Sequence, residues 1–171
     1  MEGTPILSPR SGAFGTHIDE RGTWTRVFER DLFCEYKIEA HQSSISYTKE
    51  AHTLRGLHSL NPQAEEWKLV TCVRGKVWDV AVNVDTGSPS FGSYEGFYLD
   101  GNNAEWVLIP PGFAHGFITL TDDVILGYTM STCFDPALEI GFRFDDPAFS
   151  IAWPTEPKMV SDKDLAYTFL A

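Results

Sequence analysis

Apolar and polar positions along this chain recur with a period near two, in short runs, and the period of an amphipathic helix is rare. The stretch WKLVTCVRGKVWDVAVNV, Trp67 to Val84, reads as two strand-like runs split by Arg74-Gly75, a turn signal, and is expected to form a hairpin. Further strand-like pieces are SSISYT around Ser44, WVLIP around Val107, HGFITL from His115, VILGYTM from Val124 and IGFRF from Ile140. Turns are expected at Gly101-Asn102, Pro111-Gly112 and Asp122-Asp123. Only Arg30 to Tyr36 and the tail after Ser161 have a helical look, and both are short. Many short strands with few helices predict an all-β chain closed into a barrel or jelly roll. There is no repeat of fixed period and no low-complexity segment.

Composition narrows this picture. With 171 residues the chain is long enough for one domain with a sizeable core, and no linker divides it, so residues 1–171 are expected to form a single unit. The 12 Phe, 6 Tyr and 5 Trp favour strands over helices. A formal net charge of −11 speaks against a nucleic-acid surface, which needs clustered Lys and Arg, but leaves room for one anionic ligand gripped by a few arginines. Cys34, Cys72 and Cys133 are odd in number and widely spaced, as in a protein of a reducing compartment rather than a disulfide scaffold. No signal peptide and no membrane-spanning run is evident, so the expected location is the cytoplasm.

The chemistry-bearing residues lie in two distant segments. TLRGLHSL, Thr53–Leu60, carries His58 and is followed by Lys68, and PPGFAHGF, Pro110–Phe117, carries His115. Two histidines from separate glycine-punctuated strands suggest one pocket. Neither has a second histidine within two to five residues, so the spacing does not read as a zinc or iron site, and catalysis by protons rather than by a metal is expected.

From about Phe14 to Asp164 the chain resembles the nucleotide-sugar epimerases typified by dTDP-4-dehydrorhamnose 3,5-epimerase, a group with the cupin fold. The resemblance rests on motifs in order: DERG at Asp19–Gly22, TLRGLH at Thr53–His58, KLV at Lys68–Val70, KVWDVAV at Lys76–Val82, SPSFG at Ser88–Gly92 and IPPGFAHGF at Ile109–Phe117. Tyr128, DDP at Asp145–Pro147, AWP at Ala152–Pro154 and SDKD at Ser161–Asp164 complete it. It implies a cupin-type jelly roll, a homodimer, and epimerisation of a nucleotide-diphosphate sugar through an enolate without a cofactor.

By the same resemblance His58 is the base, Asp164 its carboxylate partner, Lys68 the cation beside the ketone oxygen, and Tyr128 the acid on the opposite face. Imidazole, with an ordinary pKa of about 6.5, suits the first role, and a well-placed donor at a developing oxyanion contributes roughly 3 kcal/mol or more. Arg21 and Arg55 match the arginines directed at the diphosphate, whose oxygens fit the guanidinium fork. His115 is expected to line the pocket, and Ser44, Ser46 and Glu139 are further candidates for substrate contacts. Each has a plainer reading: His58 and His115 as core histidines, Lys68 on the solvent face, Tyr128 as an ordinary strand aromatic, Asp164 as a tail charge and Arg21 as a surface charge.

The chain also departs from the family pattern. Ser44 stands where an asparagine is common, Leu60 where a glutamine follows the base, and Phe134 where a tyrosine is usual, while the hairpin strand ends Asn83-Val84-Asp85 rather than in the usual VDLR. Lost polar groups at a nucleotide pocket alter recognition more than fold. The leading expectation is a dTDP-4-dehydro-6-deoxy-D-glucose 3,5-epimerase of deoxysugar biosynthesis. The alternatives are an epimerase of one centre or of a CDP-sugar, an inactive sugar-nucleotide-binding cupin, and a metal cupin oxygenase, for which the expected His-x-His pair is replaced by His58-Ser59-Leu60.

Overall fold

The computed structural model describes residues 8–61 and 64–170. Two five-stranded antiparallel sheets face each other. The first has the order β1 (Arg10–Ala13), β9 (Glu105–Ile109), β6 (Lys68–Arg74), β11 (Val124–Met130), β4 (Gln42–Thr48). The second has the order β12 (Glu139–Gly141), β5 (Leu54–Leu60), β10 (Phe113–Thr119), β7 (Lys76–Asn83), β8 (Tyr94–Asp100). A separate hairpin, β2 (Thr16–Asp19) with β3 (Gly22–Thr25), joins neither sheet. The helices α1 (Arg30–Cys34) and α2 (Asp162–Leu165) are short, as their sequences imply. This is the all-β jelly roll expected, and among the described residues no helix is long and apolar enough to cross a membrane. Cys34, Cys72 and Cys133 are all unpaired.

The expected hairpin at Trp67–Val84 does not form. β6 pairs with β9 and β11, whereas β7 pairs with β8 and β10, so Gly75 carries the chain from one sheet to the other. Its φ of 78° and the bond from the Gly101 N–H to its carbonyl hold that corner. Sequence alone could not separate a hairpin from a sheet-switching corner, because both need a glycine turn between two apolar runs. The arms β2–β3, β1 and β8 carried no alternation strong enough to be marked as strands. IGFRF is strand only at its start, in β12.

Both sheets carry packed clusters on both faces, apart from the outer face at β4, where Ile45 and Tyr47 are exposed. Between them lies a core that includes Val70, Cys72, Val107, Ile109 and Leu126 of the first sheet and Val77, Ala81 and Phe117 of the second. Outside the second sheet, Leu54, Leu57, Trp78, Val80 and Ile118 pack under the C-terminal segment through Phe142, Phe149 and Trp153. Outside the first, Leu69, Trp106 and Leu108 pack under Phe14, Phe28 and Phe33. Hence β7 is buried from Val77 to Asn83 without alternation, a pattern more typical of sheets sandwiched on two sides.

Candidate active site

The motif containing His58 owes its shape to Gly56. In a regular strand Arg55 and His58, three apart, would point to opposite faces. Here Leu54 and Leu57 both enter the outer cluster while Arg55 and His58 both line the space between the sheets. The pairing of β5 with β10 shifts register between His115 and Phe117, opposite Gly56. Gly56 has φ +113°, and a Cβ there would lie 2.7 Å from the Gly116 Cα and the His115 carbonyl oxygen. Only glycine fits.

The result is a cavity of about 480 Å³ at one end of the barrel. It is lined by Arg55 and His58 of β5, Lys68 of β6, His115 and Phe117 of β10, and Tyr128 and Met130 of β11. The C-terminal segment closes one side: Thr53 bridges Met159, the Leu54 N–H donates to the Met159 carbonyl, and α2 follows with Ser161 as its N-cap. Asp164 is thereby carried across the molecule to His58.

The His58 Nε2 lies 2.7 Å from Asp164 Oδ1, with the two side chains 32% and 4% exposed. Burial pushes the Asp164 carboxyl up, but the His58 ring, the Gly56 N–H and the Ser161 hydroxyl together outweigh it and hold it below its ordinary value. A carboxylate on Nε2–H leaves Nδ1 with the lone pair, the tautomer a base requires. The Tyr167 ring meets His58 edge-on at 6.2 Å and packs against Gly141, where any Cβ would fall 1.8 Å from a ring carbon.

A second histidine–carboxylate pair lies alongside. His115 sits opposite His58 in the β5–β10 register, and its Nε2 is 2.7 Å from Asp79 Oδ2. Asp79 is fully buried, and its Oδ1 has no hydrogen-bond partner. That burial drives its carboxyl up, against the opposing pull of His115 and Lys68. Lys68 shares the inward parity of Val70 and Cys72, so it belongs to the cavity and not to the solvent face, and its Nζ pairs with Glu66 at 3.2 Å. Tyr128 is edge-on to His115 at 6.1 Å, with its hydroxyl 3.5 Å from Ser46 Oγ. Its burial raises the phenol well above the ordinary tyrosine value, so it stays protonated.

The other candidates fall into three groups. Arg55 reaches the cavity while donating from Nε to Thr48 Oγ1 at 3.1 Å. Ser46 touches the site through Tyr128, Ser44 lies one strand away opposite Tyr128 in the β4–β11 register, and Glu139 acts on the rim by holding Lys163 Nζ at 2.6 Å. Arg21 is outside: it sits in the β2–β3 hairpin, 85% exposed and paired with Asp19. Residues of the site not marked from sequence are Asp79, Glu66, Lys163 and Tyr167. A lone aspartate in the apolar run VWDVAV was the available signal for Asp79, since an acid in a buried strand needs a partner. Glu66 and Tyr167 carried none. Among the described residues no group of three or more His, Cys, Asp or Glu is gathered as a metal-ligand set.

Comparison with known proteins gives one consistent answer. The family model for dTDP-4-dehydrorhamnose 3,5-epimerase matches residues 12–171. The chain is 38% identical over 151 residues to the dTDP-4-dehydrorhamnose 3,5-epimerase of Shigella flexneri, covering 86% of this chain and 82% of the relative. It is 33% identical over 174 residues to the dTDP-4-dehydrorhamnose 3-epimerase of Streptomyces niveus, covering 100% and 81%. Among solved structures, the dTDP-6-deoxy-D-glucose-3,5-epimerase of Legionella pneumophila in complex with dTDP-4-keto-L-rhamnose superposes with a TM-score of 0.87 at 32% identity, covering 97% and 89%.

Proposed function

The chain belongs to the dTDP-4-dehydrorhamnose 3,5-epimerase family, and we propose that it epimerises dTDP-4-dehydro-6-deoxy-D-glucose at C3 and C5 by removing and returning protons through an enolate. The observation that carries this reading is the juxtaposition of a His–Asp pair, a half-buried lysine and a protonated, half-buried phenol around one cavity. The 4-keto group acidifies the hydrogens on C3 and C5. His58 removes one, and Asp164 stabilises the imidazolium that forms. Lys68 meets the charge that grows on the ketone oxygen. Tyr128 returns a proton to the other face, and a phenol held above its ordinary pKa is fully loaded to do so. His115 is assigned a hydrogen bond to the sugar. Arg55 is assigned the diphosphate, with Ser44, Ser46 and Glu139 serving the substrate from the rim.

The family relationship to a 3-epimerase keeps one other reading open, inversion at a single centre. Proton NMR in heavy water, with dTDP- and CDP-4-keto-6-deoxyglucose side by side, tests both. Exchange at C3 and C5 of the dTDP sugar is expected. Exchange at C3 alone selects the narrower activity, preference for the CDP sugar changes the nucleotide, and no exchange on either sugar removes the epimerase reading.

We also assign a cytoplasmic homodimer. β4 is a sheet edge with Ile45 77% and Tyr47 54% exposed, the sort of edge a second copy would cover. Arg21 can serve the diphosphate only if the hairpin of a second copy reaches this cavity, which ties its role to the dimer. A monomer at micromolar concentration in sedimentation would remove both assignments.

A further inference from the structure

We propose that Glu66 is a positioning residue for the Lys68 ammonium, an inference that rests on the epimerase reading above. Lys68 ends a flexible four-carbon stem, and an ammonium that wanders cannot serve as a preorganised partner for a developing oxyanion. Among the described residues its ion pair is with Glu66, Nζ to Oε2 at 3.2 Å, with the two side chains 15% and 10% exposed. Asp79, the other carboxylate that acts on Lys68, is engaged by His115 through Oδ2, and its Oδ1 makes no hydrogen bond to the ammonium.

Glu66 is itself held. It lies two residues before β6, and the residue between, Trp67, is clamped to the end of β11: the Trp67 N–H donates to Ser131 Oγ at 2.8 Å and the Ser131 N–H to the Trp67 carbonyl at 3.0 Å. The other carboxylate oxygen of Glu66 accepts from Thr132 Oγ1 at 3.5 Å. Glu66 therefore stands on the ends of two central strands and fixes the ammonium from behind, leaving its remaining N–H donors for the cavity. A buried lysine without such an acceptor would fold back toward the nearest one it could find.

Two conservative variants separate position from charge. Glu66→Asp keeps the charge and withdraws the acceptor by one methylene, whereas Glu66→Gln keeps an acceptor oxygen in place and removes the charge. Measured by solvent exchange into dTDP-4-keto-6-deoxyglucose, Glu66→Asp is expected to lower kcat roughly 10- to 100-fold, the scale of a displaced catalytic group. Glu66→Gln should stay within about threefold, because the amide oxygen still holds the ammonium in place and the lost charge weighs on the ground and transition states alike. KM and the melting temperature should hold in both. A Gln variant slower than the Asp variant, two variants alike and unimpaired, or a loss that tracks melting temperature overturns the inference. No exchange by the unmodified protein removes the epimerase reading and the inference with it, whereas an active protein indifferent to Glu66 removes the inference alone.

Discussion

Asp164→Asn isolates the electrostatic half of the His58 pair. In the folded chain Asp164 offers two oxygens to two donors, Oδ1 to His58 at 2.7 Å and Oδ2 to the Gly56 N–H at 3.2 Å. An asparagine has one oxygen for both. The neutral partner alone weakens support of the imidazolium by about 1–2 kcal/mol, the gap between hydrogen bonds to charged and to neutral groups, which is roughly 5- to 30-fold in rate. If the amide oxygen stays on Gly56, its NH2 faces Nε2 and selects the tautomer protonated on Nδ1. The nitrogen that should take the substrate proton is then already occupied, a fault that costs up to about four decades in a serine-protease triad. We therefore expect kcat for hydrogen exchange to fall at least about 100-fold, with dTDP affinity unchanged. Stability gives an independent reading. A carboxyl held below its unfolded value contributes stability that is present above that value and lost as pH falls through the folded one. The melting difference between wild type and variant should accordingly be largest near neutrality and close below about pH 4. A kcat within about threefold of wild type would refute the reasoning, as would a melting difference independent of pH.

Three further outcomes are expected. Tyr128→Phe removes the acid but only a 3.5 Å contact to Ser46, so hydrogen exchange should persist while inverted product falls, with stability changed by less than about 1 kcal/mol; equal loss of both rates would place the acid elsewhere. Gly56→Ala puts a Cβ 2.7 Å from backbone atoms at φ +113°, and denaturant unfolding should show a loss of about 3 kcal/mol or more; wild-type stability would mean that β5 can relax. Asp79→Asn relieves a buried charge whose proton affinity burial has raised, while its amide oxygen can still accept from His115. Its melting temperature relative to wild type should therefore be higher at pH 8 than at pH 5, because protonation relieves the wild type as pH falls. The opposite trend would show that the Asp79 charge stabilises the fold.

What the residues determined by themselves was local and chemical. Glycine turns, short apolar runs and two brief helical segments specified an all-β chain, because turn chemistry and side-chain alternation act within a few residues. The motifs around His58, Lys68, His115, Tyr128 and Asp164 marked five candidate site residues, and the structure brings all five to one cavity. Only the tertiary structure decided how these were arranged. Arg74-Gly75 became a corner between sheets because β6 and β7 each pair on both edges with strands from elsewhere in the chain, which leaves neither edge for the other. The inward aim of Lys68 followed from the shared parity of β6 with the barrel core, and the common facing of Arg55 and His58 from a register shift against β10, neither of which a single strand specifies. Glu66, Asp79 and Tyr167 joined the site for the same reason: a buried charge or ring takes its meaning from what is packed against it, and those partners lie far away along the chain.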